Sequence, residues 1–352
     1  MSSQIAIYRY RVKGGTGLLR AQARAVNFVW NFCADTMRHA ARWDKKRPNH
    51  FDLTHLTAGA TKELGISAMT VSEVCKVFDK SRRQHKRVPR YRGRRSLGWV
   101  PMRGSRFIRE TKNGFHFFGR EHKVFKSRDL PPGAKIKDGS SLACDARGNW
   151  FINICVEVPA PQQRPIESGV GVDLGLKSFA ALSTGETIDN PRWFRAAEDR
   201  VAKAQRAGKK RQAANAYIGV TNARADFLHK LSHRLVHEFD YIAVGNVNAA
   251  ALAKTKMAKS VNDASWSSFR NMLRYKAIAH GAWYEEVSEA FSSRTCSSCG
   301  VVPPEWPKGI AGLGIRRWTC NACGADHDRD TNAALNILAR SGHRALVEGA
   351  AQ

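Results

Sequence analysis

The 352-residue chain carries 58 Lys and Arg against 30 Asp and Glu, a formal net charge of +28, and its pI is near 10.3. A 43% hydrophobic share excludes a disordered chain, and no run approaches the ~18 apolar residues of a membrane span. So large a charge on a folded protein points to a polyanionic partner. The first residues, MSSQIAIYRYRVKGG, lack an apolar core followed by a small-residue cleavage site, so no secretion signal is expected and the cytoplasm is the expected location. Eight cysteines, four of them in two CxxC pairs, fit a reducing compartment; Cys33, Cys75, Cys144 and Cys155 lie among apolar neighbours and read as buried thiols.

In chain order, QIAIYRYRV (4–12) alternates and predicts a strand. A helix is expected from about Leu18 to Trp43, with Val26, Val29, Trp30, Cys33 and Met37 on its apolar face. Phe28, Trp30 and Phe32 are expected in the core rather than on a base-stacking surface. A second helix covers about Asp52–Leu64, and Ser72 is expected to cap a third. That helix runs into the densest basic tract, Lys80, Arg82, Arg83, Lys86, Arg87, Arg90, Arg92, Arg94 and Arg95, with Tyr91 interleaved. Few acids offset it, so phosphate contact is expected rather than a merely solvated face. Short β-like runs then fill residues 98–158, and PAPQQRP (159–165) reads as a linker.

Beyond the linker, GVGVDL and SFAALST predict two strands. Asp173 sits inside an apolar strand, where a carboxylate is costly unless a cation meets it. A long basic helix is expected over residues 191–237, carrying Lys209, Lys210 and Arg211; then come the strand YIAVG, an amphipathic helix with Trp266, Phe269, Met272, Leu273 and Ala277 on one face, and the strand WYEEVSEAF (283–291). This order is α/β. Acids at strand ends and at the start of the last helix fit an RNase H-like nuclease, a topology that sets YIAVG and WYEEVSEAF side by side.

Cys296/Cys299 and Cys320/Cys323 have the spacing with which four thiolates grip one tetrahedral zinc; residues 300–319 between them fit a zinc ribbon. Four thiolates leave no open position, so this zinc is structural. Asp173 and Asp330 are the expected catalytic pair. Phosphodiester hydrolysis needs carboxylates holding divalent cations, roughly 3.5–4 Å apart when there are two, and magnesium suits oxygen ligands. Taken alone, Asp330 reads equally well as the N-cap of TNAALNIL. His327 and Asp328 are expected as turn or supporting residues.

GVDLGLKS, DFLHKLSHRLV, YIAVGNVN, SSRTCSSCG and CGADHDRDTNAALNIL resemble the transposon-encoded TnpB (OrfB) family, compact relatives of type V CRISPR effectors. The resemblance is most specific over 169–340 and looser in NFVWN and VPRYRGRR. It implies a β wedge domain split by a helical recognition domain, then a RuvC nuclease domain interrupted by the ribbon. The implied boundaries are 1–16 and 97–158 (wedge), 17–96 (helical), 159–168 (linker), 169–291 and 327–345 (RuvC), 292–326 (ribbon) and 346–352 (tail). It further implies a guide RNA from the transposon end, target double-stranded DNA beside a short motif, and cutting with magnesium. No membrane role is implied, and a monomer is expected.

Asp173 matches the family's first RuvC acid and Asp330, in DTN, the third. The second is usually Glu at the end of the YIAVG strand, where this chain has Gly245. Glu289, from a neighbouring strand that also holds Glu285 and Glu286, is the expected replacement. The alternative is a nuclease-dead, RNA-guided DNA-binding repressor; a strand transferase acting without RNA is a third reading. Arg316 and Arg317, beside the ribbon, are read as steering the cut strand.

Overall fold

The computed structural model describes residues 3–342 except 94, 104, 160 and 303–313. Arg94 and the 346–352 tail lie outside the described residues. The chain separates into two compact units, Met1–Pro159 and Ala160–Gln352. Among the described residues no helix is long and apolar enough to cross a membrane.

The first unit opens on β1 (Ser3–Val12) and continues through four helices, α1 (Thr16–Arg42), α2 (His50–Leu56), α3 (Ala60–Leu64) and α4 (Ala68–His85). Seven strands follow: β2 (Trp99–Pro101), β3 (Arg109–Thr111), β4 (Gly114–Phe117), β5 (Arg120–Phe125), β6 (Lys135–Ile136), β7 (Ser141–Cys144) and β8 (Trp150–Pro159). They form one antiparallel sheet in the order β2-β7-β8-β1-β5-β4-β3, with β6 also on β8. Because β1 pairs with β8 along most of its length, the four helices are an excursion between strands of one sheet. Sheet and helices share one core: Val26, Val29, Cys33, Met37, Val74 and Phe78 from the helices join Tyr10, Phe115, Trp150 and Ile152 from the strands.

Several expectations are corrected here. The helix expected at 52–64 breaks at Thr57–Gly59 into α2 and α3. Ser67, not Ser72, caps α4: its hydroxyl accepts the Thr70 N–H at 3.1 Å, and Ser72 lies inside the helix. Trp30 is buried, but Phe28 is 63% and Phe32 37% exposed. Four residues apart, they form a second stripe of α1, away from the stripe that reaches the core. Cys33, Cys75 and Cys155 are buried, whereas Cys144 is half-buried.

The second unit is built on a five-stranded sheet. Its elements are β9 (Gly169–Leu174), β10 (Ser178–Leu182), β11 (Thr187–Asp189), α5 (Trp193–Arg206), α6 (Lys210–Glu238), β12 (Tyr241–Gly245), α7 (Ala249–Leu252), α8 (Ala258–Ala264), α9 (Trp266–His280) and β13 (Trp283–Val287). The hairpin β14 (Arg317–Thr319) and β15 (Asp326–Asp328) leads into α10 (Arg329–Ala339). The order is β11-β10-β9-β12-β13; the first three strands run antiparallel, while β12 lies parallel to both β9 and β13. The strands of YIAVG and WYEEV are thus neighbours, as expected. The single basic helix expected over 191–237 is two helices, α5 and α6, separated by a turn at Gly208, whose φ of 66° no continuing helix accepts. Strand β11 was not legible in the sequence.

Alternation decides the two faces of this sheet. Val170, Val172, Leu174, Ile242 and Val244 meet α6 and α9 through Leu228, Leu231, Leu235, Phe269, Leu273 and Ala277. Tyr241, Ala243 and Val287 point the other way, onto Ile337 and Leu338 of α10. Asp173, two residues beyond Gly171, shares this α10 face.

Candidate active site and metal centre

Three acids line one cleft of about 390 Å³: Asp173 from β9, Glu289 beyond the end of β13, and Asp330 from the first turn of α10. Arg316, Arg329, Lys177 and Trp266 complete much of its wall. All three acids are half-buried. Loss of water and the neighbouring charges of Glu289 and Asp330 push the Asp173 carboxyl up to about 8. Burial also raises Glu289, against the opposing pull of Arg270. Crowded acids that resist ionising together are a donor set that a divalent cation would relieve, and oxygen-only ligands suit magnesium.

How α10 reaches the sheet explains why Asp330 stands beside Asp173. A Cβ on Gly171 would lie 2.0 Å from the Ala334 carbonyl oxygen, so only glycine permits this helix–strand contact. Gly171→Ala is expected to loosen α10 and to cost about 1–3 kcal/mol in urea unfolding; unchanged stability would contradict a tight docking. Asp330 is also free of the capping role. Asp328 is the N-cap, its Oδ1 accepting the N–H groups of Asp330 and Thr331. The Asp330 carboxylate is engaged instead by Arg316 Nη1 at 3.1 Å.

Glu289 stands where the sequence lacks an acid. Val244 pairs with Val172, so continuing the register sets Gly245 beside Asp173. A Cβ built on Gly245 would meet Glu289 Oε2 at 3.3 Å and its Cβ at 3.4 Å. The Glu289 side chain thus fills the space over Gly245. The other acids of this region are engaged elsewhere: Glu285 accepts from the Tyr241 hydroxyl, and Glu286 pairs with Arg270 and Arg274.

The segment that carries Glu289 is pinned by groups that sequence reasoning missed. The buried Asn332 and Asn336 amides each donate to the carbonyls of Ser292 and Thr295, and Asn332 Oδ1 accepts the Ser297 N–H. Arg340 donates to the carbonyls of Ser288 and Ala290. Asparagines recurring every four residues on an otherwise apolar helix face were the available signal.

The four cysteines converge. Their sulfurs lie within 4.8 Å of one another, with Cys296–Cys323 at 3.6 Å and Cys299–Cys320 at 3.7 Å. A tetrahedral centre with metal–sulfur bonds of about 2.3 Å spaces its sulfurs by about 3.8 Å, so the set fits one metal ion. Each pair forms the same knuckle: Gly300 N–H returns to the Cys296 carbonyl, and Gly324 N–H to that of Cys320. His327 is buried with Nε2 at 3.1 Å from Cys296 Sγ, supporting a sulfur rather than facing the cleft.

In the first unit the basic tract divides. Lys80, Lys86, Arg87, Arg90 and Arg95 are exposed. Arg82 and Arg83 pair with the buried Asp79 at 2.7 and 2.9 Å. Arg92 is half-buried: Nε donates to Asn27 Oδ1, Nη2 donates to the Leu97 carbonyl, and its own N–H donates to Asn31 Oδ1. It pins the tract to α1. Tyr91 is exposed, with the Arg38 guanidinium 3.9 Å above its ring. In the second unit Lys209, Lys210 and Arg211 are exposed at the α5–α6 turn.

Residues 153–256 match the OrfB_IS605 family model, described as "Probable transposase", and residues 266–337 match the Cas12f1-like TNB domain. A Streptomyces pristinaespiralis protein named "Putative RNA-guided DNA endonuclease" is 40% identical over 230 residues, 60% of this chain and 55% of that protein. The TnpB-like protein L79 of Acanthamoeba polyphaga mimivirus is 33% identical over 127 residues, 34% of this chain and 23% of its own length. The chain therefore spans about half the length, or less, of these curated relatives. A Cas12f1 chain solved by cryo-EM with sgRNA and target DNA aligns over 92% of this chain and 82% of its own, with TM-score 0.57 and 13% identity. The fold is similar to that of this Cas12f1 chain, with mixed sheets and helices. Both family matches fall within residues 153–337.

Proposed function

We propose that this protein is an RNA-guided DNA endonuclease that hydrolyses target DNA with divalent metal in an RNase H-like (RuvC) site. The observation that carries the reading is the convergence of Asp173, Glu289 and Asp330 on one cleft, with Glu289 filling the space over Gly245. This supports Glu289 as the replacement for the missing second acid. The strand order, in which an antiparallel three-strand meander is extended by two parallel strands, is the topology that the RuvC reading requires.

Asp173, Glu289 and Asp330 are the proposed magnesium ligands. Magnesium bound there would supply activation of water and neutralisation of charge on the leaving oxygen. Arg316 holds Asp330 in place and offers a guanidinium at the cleft for a scissile phosphate. The exposed cations of α4 and the following tract, with Lys209, Lys210 and Arg211, are the proposed contacts to the phosphates of the guide–target duplex. The likeness to the Cas12f1 chain and the name of the Streptomyces relative support guide RNA and DNA as partners. The wedge, helical, RuvC and ribbon boundaries expected from the sequence remain the proposed division of the two units.

Purification with its native RNA tests the reading: a defined RNA should co-purify and programme cutting of a matched plasmid in magnesium. Absence of any bound RNA sinks it, whereas RNA-dependent DNA binding without cutting selects the repressor.

Zinc is the proposed occupant of the four-cysteine centre. Its removal should reach the acidic cleft through Asn332 and Asn336, which tie α10 to the first cysteine knuckle. Cys320→Ser is therefore expected to lower plasmid cutting at least about tenfold, although the metal touches no reacting atom. Full activity in a zinc-free variant would separate the ribbon from the cleft.

A further inference from the structure

Three histidines outside the acidic cleft and the cysteine centre form a second ligand cluster. His233 and His237 are one turn apart on α6, and His280 is the last residue of α9. Their nearest ring nitrogens all lie within 4.8 Å of one another, and all three residues are exposed. The His233–His237 and His237–His280 ring centroids are 4.2 and 4.4 Å apart. From this geometry we propose that His233, His237 and His280 form a surface site for one divalent transition-metal ion of the zinc, nickel or copper class.

The ligand chemistry selects that class. Imidazole suits zinc, copper and nickel, whereas magnesium and calcium call for oxygen, and no carboxylate belongs to the cluster. Metal–nitrogen bonds of about 2.0–2.1 Å require nitrogens about 3.4 Å apart in a tetrahedral site. Three protein ligands leave a fourth position for water.

The surroundings hold the ligands ready for an ion. The last turns of both helices converge here, so two helix C-termini direct their partial negative charge at the cluster. One residue staples both ends. Arg164 N–H donates to the Gly281 carbonyl, and its guanidinium donates to the carbonyls of Val236 and Phe239. Its positive charge is answered by Asp240 at 3.4 Å. Lys276 of α9 donates to the His229 carbonyl and Ser232 Oγ of α6, which fixes the two helices a turn away. An ion at this point would cross-link α6 to α9, the pair that backs the face of the sheet opposite the acids.

Metal counting on the full chain tests the site. Wild type, His233→Gln/His280→Gln and His237→Gln are each equilibrated with excess zinc, freed of unbound metal by gel filtration, and analysed for zinc per chain. Wild type should retain one ion more than either variant, whatever the cysteine centre holds. Added zinc should also raise the melting temperature of wild type beyond that of the variants, while the metal-free melting temperatures agree. Equal zinc content in all three proteins overturns the proposal. A zinc-induced rise in melting temperature that is equal in all three proteins overturns it as well.

Discussion

Asp173→Asn should abolish DNA cutting, lowering the rate at least about 10³-fold, while RNA and target binding persist. A metal site of this kind supplies several kcal/mol of transition-state stabilisation, and each 1.4 kcal/mol is about tenfold in rate. Burial first, then the charges of Glu289 and Asp330, lift the Asp173 carboxyl to about 8. The same substitution has an opposite effect on the metal-free fold. An unfolded aspartate ionises near pH 4, about four units lower. Below that pH both states hold the proton and nothing is lost. From about pH 4 to 8 the unfolded chain releases the proton while the folded chain keeps it, so stability falls as pH rises. The loss, on the order of a few kcal/mol, is complete above the folded value. Metal-free Asp173→Asn should therefore melt higher than wild type at pH 8 and equal to it near pH 4. Magnesium should stabilise wild type at pH 8 and leave the variant nearly unmoved. Wild-type cutting by Asp173→Asn would remove this residue from the chemistry.

Moving the second acid is the other large effect. Glu289→Gln should lower cutting by about 10²–10³-fold, because it removes a negative charge while keeping side-chain volume. The stronger test is a transplant. Gly245→Glu alone is expected to be inactive, since its new Cβ would press on the Glu289 side chain at 3.3–3.4 Å and on Ile337 Cδ1 at 3.1 Å. Combined with Glu289→Ala, the same change gives the acid the space that Glu289 vacated. The double variant should then cut more than tenfold faster than Glu289→Ala alone, a coupling between contacting residues that a double-mutant cycle measures. Undiminished cutting by Glu289→Gln would reject its role. A dead Glu289→Gln without rescue by the double variant would show that a carboxylate on β12 does not substitute for Glu289.

Both predictions draw on the packing of α10, and so do the positions of the remaining groups. The DTN motif supplies the acid Asp330 and, two residues on, Asn332, which with Asn336 grips the turn behind Glu289. Gly171 sets the height of the helix above the sheet. One helix thus fixes one proposed ligand directly and a second through the backbone it binds, while the cysteine knuckle anchors the far side of that turn.

The amino-acid order alone carried what is local. Period-two and period-3.6 patterns marked β1, α1, β9, β12 and the α9 face, because burial of alternate side chains leaves its trace within a few residues. The CxxC spacing announced a four-sulfur centre, since two thiolates three positions apart already meet one ion. Asp173 was visible as a charge inside an apolar strand. Breaks such as Gly208 and the choice of Ser67 over Ser72 as cap escaped, because helix boundaries turn on a single hydrogen bond or one φ angle. What only the tertiary structure decided was which distant groups share a space. Asn332 and Asn336 grip the turn behind Glu289, Arg92 turns inward to pin its own basic tract, and three histidines from two helices meet at their C-terminal ends. Each depends on how helices and strands pack against one another, and that geometry is set by side-chain volumes across the core rather than by any neighbour in sequence.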